Sequence, residues 1–343
     1  MQNLLFLADF FSVEYAEKDP EMQEFFNQLS GVSVKVVADP LFQEPADRMA
    51  VIRSFEKDGI ENVEPDGTIL EAVAAAEILL VHWSPVNRKV IDAAPNLKLI
   101  ASLRSGLENI DTAYAASKGI QVIHCPGRLA DSVADLTVSL MLAWNKGLFR
   151  RDLKSLNGEW SASRQPKYQS RIYRPLCMLK IGLVGFGAIA QTVAGRLAGF
   201  GCALQAYDPF TPGEVFERLN VRQVELDELL TSSDFISVHV RVTEETKGMI
   251  GEAEFRKMSA ESVFINTARA DIVDEAAMIE ALRTGEILGA GLDVFAQEPL
   301  PADHPLLQLD NVILTPHIGG VFPGTLPLSL SKVIGKIQDY LAN

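Results

Sequence analysis

The segment Ile181-Gly-Leu-Val-Gly185-Phe-Gly187-Ala-Ile-Ala190 is the strongest indication of fold in the sequence, because it places a glycine-rich turn directly after an apolar run. That run, Lys180 to Val184, is mainly aliphatic, as are strands that helices cover on both faces. A helix is predicted to follow from Ile189 to Leu197. The stretch therefore predicts a strand, a tight turn and a helix in succession, as at the start of a βαβ unit.

Each small residue of this turn has its own part in holding a ligand. Gly185 permits the tight turn, and Gly187 lets the backbone come close to a pyrophosphate. Ala190 is small enough for the helix to pack closely on its strand. The amides of Ala188 and Ile189 lie at the positive end of the helix, where anionic groups bind. We therefore predict that this turn binds a dinucleotide.

An acidic residue supports this interpretation and indicates which cofactor is bound. Asp208 follows the next predicted strand, about 20 residues after the turn, where a carboxylate can accept hydrogen bonds from ribose hydroxyls. A carboxylate there disfavours a 2′-phosphate, and the following Pro209-Phe-Thr211 contains no arginine to neutralise one. NAD is therefore predicted rather than NADP. The alternative is a glycine turn and a loop aspartate that bind no ligand.

The rest of the chain alternates short aliphatic runs with helical stretches, which is typical of doubly wound α/β domains with parallel sheets. At 343 residues the chain is long enough for about two such domains. A long amphipathic helix is predicted from Asp131 to Lys146, between the two sets of runs. The predicted strands are Leu4 to Ala8, Val32 to Val37, Ile78 to His82, Leu97 to Ser102, Gln121 to His124, Lys180 to Val184, Ala203 to Tyr207, Asp234 to Val240, Ser262 to Asn266, Leu288 to Phe295 and Val312 to Thr315.

Charge, cysteine content and the N-terminus limit the classes of function. The net charge of −14 disfavours nucleic acid and anionic membrane surfaces as partners. Basic side chains concentrate only between Arg150 and Arg174, which we interpret as a solvated connecting segment. The 3 cysteines are widely spaced, which argues against a disulfide framework and a metal site. The cysteine pattern predicts a reduced, cytoplasmic compartment. The sequence shows no signal-peptide pattern and no apolar run of about 20 residues.

Three polar residues follow the last three predicted strands: Arg269, Glu298 and His317. Ligands of open parallel sheets bind outside the carboxyl ends of the strands, so these side chains are expected at one edge of the sheet. Taken singly, each has an ordinary structural explanation. Arg269 could form a surface ion pair, Glu298 could be a loop charge before proline, and His317 could be a buried histidine with satisfied hydrogen bonds.

The order of these motifs resembles that of the D-isomer-specific 2-hydroxyacid dehydrogenases, which include phosphoglycerate dehydrogenase, glyoxylate reductase and D-lactate dehydrogenase. The resemblance covers nearly the whole chain: the turn Gly106 to Asp111, the helix from Asp131, the glycine-rich turn and the three strand-end residues. It implies two Rossmann-like doubly wound domains with parallel sheets and an active site in the interdomain cleft. It also implies NAD-dependent hydride transfer at C2 of a small D-2-hydroxy acid or 2-keto acid, phosphorylated acids included.

By this resemblance, the three strand-end residues are catalytic, and their chemistry suits the roles. The guanidinium of Arg269 can hold a substrate carboxylate and the C2 oxygen together. His317 can carry the hydroxyl proton near neutral pH, and Glu298 can fix its tautomer. Glu298 also argues against the related formate dehydrogenases, because formate oxidation releases no hydroxyl proton.

The resemblance assigns further residues to the cofactor. Asp293 matches a position that contacts the nicotinamide carboxamide, although an aspartate at a strand end can equally cap the following turn. His239 and Thr243 match a His-x-Pro-x-Thr segment near the cofactor, and Thr267 lies beside the catalytic arginine. Arg241 stands where the family has proline, so the shape of that loop is open.

The resemblance places the substrate carboxylate on the turn Arg104-Ser105-Gly106. Here Arg104 stands where much of the family has glycine. It could bind a second anionic group, such as a phosphate or a distal carboxylate, or it could pair with Glu108. For Arg128, near the predicted hinge, a salt bridge within the hinge is favoured over ligand contact.

The predicted substrate-binding domain comprises residues 1–126 and 319–343, and the predicted NAD-binding domain comprises residues 127–318. In the family the region equivalent to the helix from Asp131 pairs two subunits, so the resemblance implies a homodimer. The alternative to an enzyme is an NAD-sensing interaction protein of the same fold, like the corepressors of this superfamily, because fold alone does not determine function.

Overall fold

The computed structural model describes residues 1–9, 12, 20–42, 51–52, 55, 59–148 and 174–342. The chain divides into two compact units. The first comprises Met1–Arg128 and Phe322–Asn343, and the second comprises Leu129–Val321. The predicted crossings lie at residues 126 and 319. Apart from Arg174, the basic segment that begins at Arg150 lies outside the described residues.

The first unit is built on a five-stranded parallel sheet in the order β2-β1-β3-β4-β5. The strand order reverses at β1, so connections cross both faces of the sheet, as in doubly wound folds. Leu4, Phe6 and Leu80 are fully buried in one core beneath the sheet. The strands are β1 (Gln2–Ala8), β2 (Val32–Ala38), β3 (Ile78–Val81), β4 (Leu99–Ser102) and β5 (Gln121–Ile123).

Short capped helices connect these strands. Asp66, Asn87 and Asp111 each precede a helix and accept a hydrogen bond from a backbone amide of its first turn, which satisfies a donor that has no partner within the helix. These helices leave polar residues at the carboxyl edge of the sheet. The helices are α1 (Pro20–Asn27), α2 (Gly67–Val73), α3 (Arg88–Asp92) and α4 (Thr112–Ser117).

The second unit is built on a seven-stranded parallel sheet in the order β12-β11-β10-β9-β6-β7-β8. Every pairing is parallel, so the carboxyl ends of all the strands lie at one edge. The doubly wound α/β fold class is thereby confirmed; β8 is a short strand that the sequence did not indicate. The strands are β6 (Lys180–Val184), β7 (Ala203–Tyr207), β8 (Arg222–Gln223), β9 (Phe235–Val238), β10 (Val263–Asn266), β11 (Gly289–Leu292) and β12 (Val312–Leu314).

The long helix α5 (Ala130–Lys146) covers the sheet of its own unit. Trp144 is fully buried and donates from Nε1 to the carbonyl of Ala290 on β11 at 2.9 Å. Gly289 makes room for the indole ring, since a Cβ there would lie 2.1 Å from Trp144. The other helices of this unit are α6 (Ala188–Ala198), α7 (Gly213–Arg218), α8 (Leu226–Ser232), α9 (Glu252–Lys257) and α10 (Glu275–Thr284).

The C-terminal helix α11 (Thr325–Ala342) returns to the first unit. Leu330, Val333 and Ile337 are fully buried and share a hydrophobic core with strands β1, β3 and β4. Burial of this apolar face binds the end of the chain to its beginning. Among the described residues, no helix combines the length and apolarity needed to cross a bilayer.

Candidate functional site

The glycine-rich turn between β6 and α6 has the geometry of an anion-binding loop. Gly185 has φ +88°, and a Cβ there would lie 2.7 Å from the side chain of Val240, so only glycine fits. Gly187 caps α6, and no atom lies within 4 Å of where its Cβ would stand. No side chain caps this helix, so its first amides, beginning with Ala188 and Ile189, are available to a ligand.

Asp208 is held beside this turn by backbone hydrogen bonds. Its Oδ2 accepts from the amide of Phe186 at 2.7 Å, and its Oδ1 accepts from the amides of Phe210 and Thr211. Burial alone would raise the pKa of Asp208, but these hydrogen bonds outweigh burial and hold the pKa below its usual value. Asp208 is thus a preorganised carboxylate at the end of β7, where a ribose would be recognised.

The segment after β9 carries a partly buried histidine and an exposed turn. His239 contacts the hydroxyl of Ser237 through Nε2 at 2.9 Å, and burial lowers the pKa of His239 to about 3. This side chain is therefore neutral. Thr243 and Thr246 exchange backbone and hydroxyl hydrogen bonds, and Thr246 donates to the carbonyl of Arg241. Threonine hydroxyls therefore shape the loop in which arginine replaces proline.

The central feature of the candidate site is a contact between His317 and Glu298. Nδ1 of His317 lies 2.9 Å from Oε2 and 3.1 Å from Oε1 of Glu298. Glu298 also accepts from the amide of Phe295 at 3.1 Å, which orients its carboxylate. The imidazole is 45% exposed, so Nε2 is the nitrogen left to exchange a proton with a ligand.

His317 stands on a strained turn that Asp293 anchors. Its φ is +54°, a left-handed conformation that is uncommon for residues other than glycine and that concentrates at functional sites. Asp293 is 1% exposed and accepts from the amides of Ile318 and Gly319, both at 2.8 Å, and from the hydroxyl of Thr315 at 2.6 Å. These bonds satisfy both carboxylate oxygens, so Asp293 positions the turn that carries the imidazole.

Arg269 follows β10, and β10 pairs with β11, whose following loop carries Glu298. The structure does not show a contact between Arg269 and either of the other two strand-end residues. Its Nη1 donates to the carbonyl of Ala268 at 2.7 Å, and its own carbonyl accepts from Asn266. Because β10, β11 and β12 are adjacent and parallel, the three following loops leave the sheet at the same edge.

Thr267 is one of the buried residues among those predicted to contact the cofactor. It is 6% exposed, and its hydroxyl lies 2.8 Å from that of Thr137 on α5. This bond connects the loop after β10 to the long helix.

A bracing pair behind the site has no signal in the sequence. Glu275, at the start of α10, accepts from the amide of Ala296 at 3.3 Å through Oε2. Its Oε1 lies 3.3 Å from Nε2 of His304. This pair supports the loop from Phe295 to Glu298 from outside the predicted motifs, and only tertiary contact reveals it.

The predicted substrate turn lies in the first unit and is held by Arg104. The guanidinium is 3.5 Å from the ring centre of Trp83, Nη1 donates to Asn109 at 3.2 Å, and Nη2 is 3.3 Å from Glu108. A Cβ at Gly106 would overlap the Glu108 carboxylate at 2.2 Å. The structure therefore shows the pairing that the sequence left open.

The remaining members of the substrate turn face its neighbouring strand. Ser105 donates its hydroxyl to the carbonyl of Cys125 at 2.8 Å. The amide of Cys125 in turn donates to the carbonyl of Arg104 at 2.9 Å.

Cys125, Cys177 and Cys202 are free cysteines.

The hinge salt bridge favoured for Arg128 is wrong. No described carboxylate pairs with Arg128, and its Nη1 donates to the hydroxyl of Ser329 instead. The nearest acidic residues in sequence, such as Asp131, pair with Arg196.

Comparison with known proteins assigns the chain to a family. Residues 138–319 match the family model described as D-isomer specific 2-hydroxyacid dehydrogenase, NAD binding domain. The chain belongs to this family. The predicted family, enzyme class and NAD cofactor are thereby confirmed, and the chain is an oxidoreductase.

Two curated relatives are similar to the chain to nearly the same degree. A glyoxylate reductase of Korarchaeum cryptofilum is 38% identical over 273 residues, covering 77% of this chain and 80% of the relative. A D-3-phosphoglycerate dehydrogenase of Archaeoglobus fulgidus is 36% identical over 288 residues, covering 82% of this chain and 52% of the relative. The two names differ in substrate, so overall similarity does not select one.

A solved structure is similar over nearly the full length. The D-lactate dehydrogenase of Aquifex aeolicus, complexed with NAD and lactic acid, has a TM-score of 0.70 at 27% identity. The match covers 99% of this chain and 96% of the other.

The residues present fit NAD. The open space over Gly187, the uncapped first amides of α6 and the oriented Asp208 carboxylate suit a pyrophosphate followed by a ribose with two free hydroxyls. Among the described residues, no group of histidine, cysteine and carboxylate side chains is arranged to hold a metal ion.

Proposed function

We propose that the chain transfers a hydride between a bound nicotinamide and C2 of a small D-2-hydroxy acid or 2-keto acid. The observation that carries this proposal is the contact of 2.9 Å between Nδ1 of His317 and the Glu298 carboxylate. A histidine oriented in this way can donate or accept a proton at the C2 oxygen through Nε2. The carboxylate stabilises the imidazolium that forms when the hydroxy acid is oxidised.

The remaining residues of the site bind and orient the acid. Arg269 is the cation we assign to the substrate carboxylate and the C2 oxygen, because a planar guanidinium can hold two oxygens at once. Ser105 and Gly106 are assigned to the same carboxylate. Arg104 is assigned to shaping that turn, since its guanidinium already contacts Trp83, Glu108 and Asn109.

Further residues of the second unit are assigned to the cofactor: Gly185, Gly187, Ala188, Ile189, Asp208, His239, Thr243 and Thr267. Asp208 is the residue we assign to discrimination against NADP, because a 2′-phosphate would meet a carboxylate whose pKa lies below its usual value. Asp293 acts through the turn it anchors.

Loss of the imidazole tests the proposal. His317→Ala should lower kcat for reduction of glyoxylate or hydroxypyruvate by about 100- to 10,000-fold, because the proton at the C2 oxygen loses its carrier. NADH binding, measured by fluorescence, should be unchanged. Full turnover in the variant would disprove the assignment. Wild-type protein that binds NADH but consumes it with no 2-keto acid would instead favour the NAD-sensing alternative.

We also propose a homodimer. This proposal rests on the family resemblance alone, because the buried face of α5 packs on the sheet of its own unit and so does not point to a partner. Light scattering after size exclusion at micromolar concentration should give twice the 37.5 kDa of one chain. A particle of one chain's mass would contradict the dimer without affecting the catalytic assignment.

A further inference from the structure

Arg128 is the buried cation that the proposed function does not use. In the chain it follows β5 and precedes α5, and it is only 7% exposed. The amide of Arg128 donates to the carbonyl of Cys125 in the turn after β5, which contains Gly127 at φ +71°. The side chain therefore belongs to the carboxyl edge of the first unit's sheet, where ligands of parallel sheets bind.

The hydrogen-bonding capacity of this guanidinium is mostly unused. Nη1 donates to the hydroxyl of Ser329 on α11, and that hydroxyl donates onward to the carbonyl of Thr325. Nε is buried, and no described atom accepts a hydrogen bond from it. A guanidinium has five N–H donors, and among the described protein atoms only the Ser329 hydroxyl accepts from its Nη groups.

Arg128 also differs from other arginines of the chain in its charge partners. Arg88, Arg196 and Arg283 are exposed to solvent, and each pairs with at least one carboxylate. Arg128 is buried and pairs with no carboxylate among the described residues; burial lowers its pKa, and the Cys125 thiol opposes this shift only in part. Burying a charge without a counter-ion is strongly destabilising, so a ligand of opposite charge would stabilise this guanidinium.

A second arginine, Arg104, acts on the same histidine as Arg128. Burial lowers the pKa of His82, and after the opposing effect of Asp9 the charges of Arg128 and Arg104 lower it further. The Asp9 carboxylate is already engaged by the amide of Trp83 at 2.8 Å and by His82 at 3.1 Å. Two arginines therefore act on one buried group in a chain whose net charge is −14.

We propose that Arg128 forms an anion site at the carboxyl edge of the first unit's sheet, and that the site takes a carboxylate or phosphate group. Nε and an Nη of one guanidinium edge can donate to two oxygens of such a group in parallel. The group is supplied either by a substrate with a second anionic group, which rests on the proposed function, or by a separate small anion. Ser329 then holds the other side of the guanidinium in place.

Thermal unfolding of the full chain tests the site without reference to turnover. At constant ionic strength, phosphate or malonate should raise the Tm of the wild type in a saturable manner. The rise should disappear in Arg128→Met and persist in Arg88→Met, a matched loss of an exposed arginine from the same unit. It should also persist in Arg269→Met, which separates this site from the catalytic arginine. Without anions, Arg128→Met should be at least as stable as the wild type.

An equal Tm rise in the wild type and in Arg128→Met would overturn the proposal. So would the absence of any rise in the wild type, combined with a lower Tm of Arg128→Met, because Arg128 would then be a structural donor to Ser329. Both outcomes are independent of whether His317 carries a proton, so failure of the anion site is distinguishable from failure of the proposed reaction.

Steady-state kinetics distinguishes the two sources of the anion. If the substrate supplies it, Arg128→Met should lower kcat/KM for oxaloacetate or phosphohydroxypyruvate by about 10- to 100-fold, the range expected for a hydrogen bond to a charged group. Pyruvate and hydroxypyruvate should be unaffected. If a separate anion supplies it, the variant should lose the Tm rise while all four substrates change alike.

Discussion

At the scale of single residues, the role of a charge depends on which atoms it contacts. Asp293 matches a family position that contacts the nicotinamide carboxamide, yet both of its oxygens accept hydrogen bonds from the turn after β12. That turn holds His317 at φ +54°, a conformation that its surroundings must enforce. Asp293 is therefore a positioning residue for the imidazole.

Asp293→Asn should destabilise this turn. An amide offers one acceptor oxygen where the carboxylate offers two, so at least one of the amides of Ile318 and Gly319 loses its partner. We expect a loss of about 1–3 kcal/mol in the free energy of unfolding, the usual cost of an unsatisfied buried donor. Urea denaturation measures this loss, with the loop variant Asp310→Asn as control.

The same variant has a kinetic consequence that a purely structural role would not produce. Its kcat should fall while KM for NADH stays within about twofold, because the imidazole is misplaced and the glycine-rich turn is untouched. A variant that loses NADH affinity but keeps kcat would assign Asp293 to the cofactor instead.

At the scale of elements, the contact between the long helix α5 and strand β11 limits which residues each can carry there. Trp144 fills the space above Gly289, and the indole donates to the carbonyl of Ala290. A helix that carries a large ring can approach the sheet this closely only where the strand lacks a side chain.

Two glycine-to-alanine substitutions should have opposite effects. In Gly289→Ala, the new methyl group would lie 2.1 Å from Trp144 and 2.4 Å from the carbonyl of Asn311, so overpacking should lower the free energy of unfolding by about 1–3 kcal/mol. In Gly195→Ala, within α6, no atom lies within 4 Å, and the gain in helix propensity should raise it by about 0.5–1 kcal/mol. Denaturant titration of both variants measures the difference; effects of the same sign would contradict this packing.

At the scale of the whole molecule, each unit holds a neutral histidine near the carboxyl edge of its sheet, buried in the first unit and partly buried in the second. Burial lowers the pKa of His82 in the first unit, and it lowers the pKa of His239 in the second unit to about 3. In the unfolded chain a histidine titrates at about pH 6.5. Below about pH 6.5 the unfolded state therefore binds more protons than the folded state, so the free energy of unfolding falls as the solution becomes acidic.

For His239 the pH window follows directly. Its contribution should be complete above about pH 6.5 and should decline by about 1.4 kcal/mol per pH unit as the pH falls toward its folded pKa of about 3. At pH 5 the expected loss is about 2 kcal/mol. Urea titrations from pH 8.5 to 5 should show this loss in the wild type and not in His239→Gln. The two proteins should have the same pH dependence above pH 7.5, and equal slopes at pH 5 would contradict the prediction.

How far the sequence predicts the structure differs between backbone and side chains. Strands β6 and β7 begin and end where the aliphatic runs do, because such runs have few other ways to satisfy their backbone hydrogen bonds under two layers of helix. The two-residue strand β8 escaped prediction, because it has no apolar pattern of its own and depends on pairing with β7. Glu275, which braces the loop of Glu298, likewise has no local signal.

The sequence by itself determined the glycine-rich turn, the carboxylate after β7 and the order of Arg269, Glu298 and His317. These features depend on local backbone geometry and on short spacings, both of which follow from residues close together in the sequence. The strained turn that carries His317 and the burial of Arg128 without a carboxylate became evident only from the fold. Contacts and desolvation depend on residues distant in the chain, so no spacing along the chain encodes them.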